Sequence, residues 1–339
     1  MIDLRSDTLT RPTAGMRRAM AEAEVGDDVL DGDPTTRRLE EATAALLGME
    51  DALFFPSGTQ ANQTGIALCT TPGTELIVEA NAHMVHYEMA AVAALWGVQL
   101  RTVTTPDGLL SADLVRQALR PASPHVPRIS AVAVENTHNT AGGRVLPPAE
   151  MTAIVAAARE AGLHVHLDGA RLWNAAAALG VSPARVVLGV TTVMVSFSKG
   201  LGCPVGSCLA FARERRAAAW EIRKRLGGGM RQSGVLAAAG LYALEHHLPD
   251  IARDHAHARL LADRLSRSSA VTVAAPETNI VMIDLTREDD TAAAVAPQLA
   301  AAGVRVSPWG PRRLRAVTHR DVSAEEIERA AEIVGTVLG

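Results

Sequence analysis

Leu163-His164-Val165-His166-Leu167-Asp168-Gly169-Ala170-Arg171 is the stretch on which the fold turns. A short apolar run stops at an aspartate and a glycine, and a helical pattern, Leu172–Ala178, follows at once. Short apolar strands alternating with helices belong to a parallel sheet covered on both faces. The alternation extends in both directions. Strands are predicted at Leu76–Val78, Val98–Val103, Ile129–Val134, Thr192–Ser196 and Ser207–Phe211. Helices are predicted at Thr13–Ala23, Thr35–Leu47, Thr59–Cys69, Val85–Leu95, Ala112–Leu119 and Pro147–Ala161. Two longer helical patterns, Glu214–Leu226 and Gln232–Leu265, come next, the second broken or kinked at Pro249. Past Ser266 the texture changes to short strands (Val271–Val273, Ile280–Leu285, Val304–Val306, Arg315–Val317) with helices at Asp290–Ala302 and Ser323–Leu338. The reading is an α/β protein: a large, mostly parallel sheet domain over residues 1–250 and a smaller α+β domain over 251–339.

Three pieces of this frame carry chemistry. Strand alternation places His164, His166 and Asp168 on one face. Asp168 falls at the strand's C-terminal end, where α/β sheets bind ligands. A carboxylate there could hold a pyridinium N–H, or merely cap the next helix; the two histidines read as packing. Lys199 stands in Val195-Ser196-Phe197-Ser198-Lys199-Gly200-Leu201-Gly202, just past another strand. A lysine held there can lose hydration and become nucleophilic; alone, an ordinary exposed loop lysine is the simpler reading. Phe54-Phe55-Pro56-Ser57-Gly58-Thr59-Gln60-Ala61-Asn62 is a strand end, a tight turn and a helix start. Free backbone N–H groups make such a turn a phosphate cradle or, more plainly, a capped helix.

Composition excludes several classes. The 339 residues carry a formal net charge of −4, which argues against a nucleic-acid partner. No apolar run approaches the ~18–20 residues of a membrane span, and Met1–Arg5 lacks an apolar signal core, so a cytoplasmic location is expected. The cysteines Cys69, Cys203 and Cys208 cannot all pair and form no CxxC, which fits a reduced compartment and no metal site. Only 3% of residues are aromatic, too few for a base-stacking surface. The acidic run Asp27–Asp33 fails as a calcium loop, because Val29 and Arg38 fall where ligands belong. Gly227–Gly229 follows a helix rather than a strand and reads as a chain reversal.

Phosphate turn, aspartate and lysine stand in the order found in pyridoxal-phosphate enzymes of fold type I, the aspartate-aminotransferase-like group. Further blocks narrow the likeness: Asp3-Leu4-Arg5-Ser6-Asp7-Thr8, Val25-Gly26-Asp27-Asp28-Val29, Glu135-Asn136-Thr137-His138-Asn139, Gly227-Gly228-Gly229-Met230-Arg231-Gln232 and Arg315-Ala316-Val317-Thr318-His319. Taken in order, they resemble the L-threonine aldolase family, low-specificity type, over nearly the whole chain. The resemblance implies pyridoxal 5'-phosphate held by Lys199, its ring nitrogen on Asp168, and its phosphate on Gly58 and Thr59, with Ser196, and it counts Arg171 among the cofactor's neighbours as well. It implies that Arg231 reaches a phosphate across a subunit interface of a homotetramer with shared active sites. His83 would stack on the cofactor ring, and Arg171, Arg315 and Ser6 would bind the substrate α-carboxylate, with Tyr87 near the pocket. His83, His125 or a water they hold would take the β-hydroxyl proton. Lys224 matches a family lysine near the pocket, or is a solvated helix charge.

The implied reaction is reversible cleavage of L-threonine or L-allo-threonine to glycine and acetaldehyde. Leu30 stands where relatives often place a tyrosine, and it keeps open an aldolase or transaldolase for another β-hydroxy-α-amino acid, such as phenylserine or 3-hydroxyaspartate. An aminotransferase or β-eliminating lyase, and a non-catalytic relative, are the readings from other classes.

Overall fold

The computed structural model describes residues 1–339. Seven strands form one sheet in the order Asp51–Phe55, Ser207–Phe211, Thr192–Ser196, His164–Gly169, Ile129–Glu135, Glu75–Glu79, Gln99–Val103. Only Ser207–Phe211 runs against the others. Side-chain alternation explains the burial of both faces. Val132, Val134, Val165 and Leu167 enter one apolar core, while Ala131, Ala133, Leu76 and Val78 enter another on the opposite side.

Local chemistry sets the helix ends. Asp33 caps Pro34–Leu47 by accepting from the Thr36 N–H, and Gly48 closes that helix in a left-handed conformation. Ser57 caps Gly58–Cys69 by accepting from the Gln60 N–H. The long pattern through Pro249 divides as expected, into Gly234–His246 and Ile251–Leu265 around the short turn Leu248–Asp250.

The helix expected over Val85–Leu95 does not form. Two short pieces, His83–His86 and Ala91–Trp96, replace it, joined through Met89 and Ala90 at positive φ. The cause lies in Glu88, whose buried carboxylate is held by Gln63, Asn62 and His83. Turning that side chain inward forces the chain outward and leaves Met89 exposed.

The C-terminal elements build a separate core around a four-stranded antiparallel sheet ordered Ser307–Gly310, Arg313–Val317, Ile280–Leu285, Val271–Val273. The strand Ser307–Gly310 has no counterpart in the sequence reading, since its Ser-Pro-Trp-Gly composition lacks a strand pattern. The first residues join this layer: Ile2–Asp3 pairs in parallel with Val304–Arg305. No helix is long and apolar enough to cross a membrane.

Candidate active site

The parallel strands of the large sheet end together, and a cavity opens at that edge. Of its fourteen lining residues only Ala170 and Met194 are apolar, which suits a polar, charged ligand. The lining brings together Gly58, Thr59, His83, Asp168, Arg171, Ser196 and Lys199, each singled out in the sequence. It adds Asn62, Glu88, Glu135, Thr137 and Asn139, to which the sequence reading gave no role.

Asp168 sits at the end of its strand and is buried. One oxygen accepts from the Ala170 N–H at 3.0 Å, the other from Asn62 Nδ2 at 2.6 Å. Behind it Asn62 Oδ1 lies 3.0 Å from His166 Nε2, whose Nδ1 meets Thr192 Oγ1 at 2.8 Å. His166 is therefore more than the packing residue expected: it ends a hydrogen-bonded chain that fixes the Asp168 carboxylate. Burial drives its pKa down to about 4, so it works as a neutral ring. His164, at the strand start, is exposed.

The glycine-flanked turn after Thr192–Ser196 carries Lys199, whose carbonyl is held by Thr10 Oγ1 at 2.7 Å. Burial, aided by the Arg171 charge, pulls the amine down to about 8 against the carboxylates of Asp7, Asp168 and Glu135. A lysine so lowered holds a larger neutral, nucleophilic fraction.

His83 is placed by two carboxylates. Glu135 accepts from its backbone N–H at 2.6 Å and from the Asn139 N–H at 2.8 Å. Glu88 Oε1 lies 2.8 Å from His83 Nδ1. A carboxylate only accepts, so Nδ1 carries the proton and Nε2 is left free. Burial opposes the imidazolium, but Glu88 and the negative charge of Asp168 outweigh it and raise the His83 pKa.

Arg171 is gripped in a bidentate fashion by Asp7, at 2.7 and 2.8 Å. The Arg171 charge holds the wholly buried Asp7 carboxyl far below its usual range despite desolvation. Arg171 Nη1 and Arg315 Nη1 both donate to Asn139 Oδ1 at 3.0 Å. Two cations thus converge on one neutral oxygen, an arrangement that suits an anion.

Other expected residues stand apart. Ser6 engages Thr8 and caps the turn that carries Asp7. His125 is exposed on the loop between Leu119 and Ile129, and Arg231 is exposed and paired with Asp27; neither lines the cavity of its own chain. Lys224 is exposed on its helix, and Leu30 is 74% exposed rather than a wall of this cavity. Tyr87 is not alone near the mouth, since Trp309 stacks against it with ring centroids 6.2 Å apart.

The missed residues left faint signals. Glu135 ends an apolar strand, Glu88 interrupts an apolar pattern, and Asp7 and Asn139 lie inside the quoted blocks. Each is a polar group whose partner is remote in sequence.

Residues 3–288 match the model of the beta-eliminating lyase family. A low-specificity L-threonine aldolase from Arabidopsis thaliana is 41% identical over 96% of this chain and 93% of its own. The chain belongs to the L-threonine aldolase group of this lyase family. Threonine aldolase from Leishmania major superposes with a TM-score of 0.85 at 20% identity, covering 100% of both chains. A double mutant of Thermus thermophilus aspartate aminotransferase gives 0.75 at 19% identity, over 100% of this chain and 92% of its own. The threonine-aldolase family member therefore has the fold type I architecture, with its cavity at the edge where that sheet gathers its polar residues.

Proposed function

We propose that this chain cleaves L-threonine and L-allo-threonine reversibly to glycine and acetaldehyde, with pyridoxal 5'-phosphate as cofactor. The observation that carries the reading is Lys199 and Asp168 lining one polar cavity beside two converging arginines.

The residues present fit the cofactor. As the first residues of a helix, Gly58 and Thr59 have N–H groups with no acceptor inside it. The Ser207 hydroxyl is buried without a partner, beside Gly58, and the Thr137 hydroxyl is likewise unpartnered. Ser196 and Ser207, with the Gly58 and Thr59 N–H groups, would hold a phosphate. Asp168 would hold a ring N–H, and the Asn62–His166 chain behind it keeps its carboxylate aimed. Bound there, the cofactor supplies an electron sink for the carbon that loses its substituent.

The chain's own groups do the rest. Arg171 and Arg315 would take the α-carboxylate in place of the Asn139 oxygen, with Ser6 steadying the turn that places Asp7 on Arg171. Fixing the carboxylate fixes which bond at the α-carbon breaks. His83 Nε2 is the acceptor left for the β-hydroxyl proton, directly or through a water. We place that role on His83 rather than His125, because His125 stays on the surface loop. Lys199 Nζ would carry the cofactor, and its lowered pKa suits it to hold or release a proton near the same carbon.

Arg231 is read as serving a neighbouring subunit of a homotetramer; its exposure, with Asp27 as its one ion-pair partner, supports this. The large sheet with the cores on its two faces is read as a large domain over 1–250, and the C-terminal sheet with its own core as a small one over 251–339. Three buried free cysteines support a reducing, cytoplasmic setting.

The test is Lys199→Ala beside the parent protein. The parent should show a visible absorbance band from the lysine-bound cofactor and release acetaldehyde, and the variant should do neither. A parent with no such band, or a variant with full activity, would sink the reading. Keto acid without aldehyde would point to a β-eliminating lyase instead.

A further inference from the structure

Arg171 and Arg315 share the Asn139 oxygen, yet they are held by opposite means. Asp7 grips Arg171 with both oxygens. No carboxylate pairs with Arg315, whose Nη groups reach only Asn139 Oδ1 and the Arg5 carbonyl, and whose buried Nε has no acceptor. What holds it is a ring. The Arg315 guanidinium carbon lies 3.7 Å from the centroid of Trp309.

Trp309 is itself fixed on two sides. Its Nε1 donates to the Thr140 carbonyl at 3.4 Å, and its other neighbour is Tyr87, stacked at an interplanar angle of 21°. Trp309 thereby links the second sheet to the loop that carries Asn139.

The difference has a chemical consequence. A carboxylate that holds an arginine also cancels its charge toward an incoming anion. A ring face holds the guanidinium by its quadrupole and leaves the net charge whole. It also strips water from one face, which strengthens the charge toward the cavity.

We propose that Trp309 is a positioning residue for Arg315: it fixes the guanidinium for the amino-acid carboxylate without neutralising it. The inference rests on the reading of Arg315 as a carboxylate ligand. Asp7–Arg171 supplies a rigid, largely neutralised half of the clamp, and Trp309–Arg315 supplies the half that carries free charge.

The test uses the holoenzyme with Trp309→Ala, Trp309→Phe, Trp309→Gln, Trp309→Glu and, as reference, Arg315→Ala. KM and kcat for L-threonine are measured, together with glycine affinity from the absorbance change on binding, and melting temperature as a check on folding. Trp309→Ala should raise KM and weaken glycine about tenfold, within the range of a desolvated cation–π contact, with kcat changed less than about twofold. Trp309→Phe should recover most of the loss. Trp309→Glu should bind glycine more weakly than Trp309→Gln, because it would hold Arg315 and cancel it. Should Trp309→Ala fail to fold, the Phe variant and the Gln–Glu pair still decide. Unchanged KM in Trp309→Ala beside a raised KM in Arg315→Ala overturns the proposal alone. Equal glycine affinity in the Gln and Glu variants overturns it too. An unchanged KM in Arg315→Ala overturns the carboxylate reading, and this inference with it.

Discussion

Asp7 and Asp254 are both fully buried carboxyl groups, and they behave in opposite ways. Asp7 stands at the cavity edge with Arg171 and Asn279 donating to it, and its pKa lies far below the ordinary range. Asp254 lies in the helix Ile251–Leu265, packed against the Lys199–Gly200 turn, and neither of its side-chain oxygens has a partner. Burial, against the charges of Arg253 and Arg320, lifts its pKa to about 8. Each carboxylate in and beside the cavity has donors converging on it, and the one in the seam behind it has none. Burial by itself shifts a pKa; it takes paired donors around an open space to make a place where an anion can be exchanged.

That contrast can be broken most forcefully at Asp7. Asp7→Asn leaves the Arg171 cation buried and free to move. Truncating one partner of a buried, hydrogen-bonded charge pair at a binding site costs about 2–5 kcal/mol of binding, so kcat/KM should fall by about a hundredfold in steady-state assays. Activity within about twofold of the parent would mean that pairing is not what separates the two regions.

Glu88→Gln sharpens it within the cavity. Glu88 helps to raise the His83 pKa. Without that negative charge the imidazole gives up its proton at lower pH, and the acidic limb of the kcat/KM profile should move to lower pH. The rate at the optimum should fall about tenfold as His83 loses its orientation. An acidic limb that does not move would remove His83 from the pH profile.

The smallest effect is expected at Asp254. In the unfolded chain this carboxyl ionises near its reference value of 3.8, whereas in the fold it does so only near 8. Below both values the folded state loses nothing. As pH rises through that window the unfolded state sheds its proton first, and stability falls. Asp254→Asn removes the cost. Its melting temperature should exceed the parent's by about 2–4 °C at about pH 8 and match it near pH 4. A gain independent of pH would show that the shape of the side chain, and not its proton, limits the seam.

Lys199, Asp168 and the Ser57–Asn62 turn were legible because local chemistry marks them. A glycine-bounded lysine, a strand-terminal aspartate and a serine-capped helix start are each signalled by immediate neighbours. Glu88 falls inside a helical pattern by sequence, which does not show that Gln63, Asn62 and His83 hold it inside. Trp309 carried no signal, because the value of one ring depends on what packs against it.

From the sequence alone came the alternation of strands and helices, the caps, and the family resemblance spread along the chain. All of these depend on backbone preference and on residues a few positions apart. Tertiary structure decided which charges share a cavity. Asp7 meets Arg171 across 164 residues, and Asn62 meets Asp168 across 106. Coulomb and desolvation energies follow distance and burial in space, and the sheet sets both only when its strands end side by side.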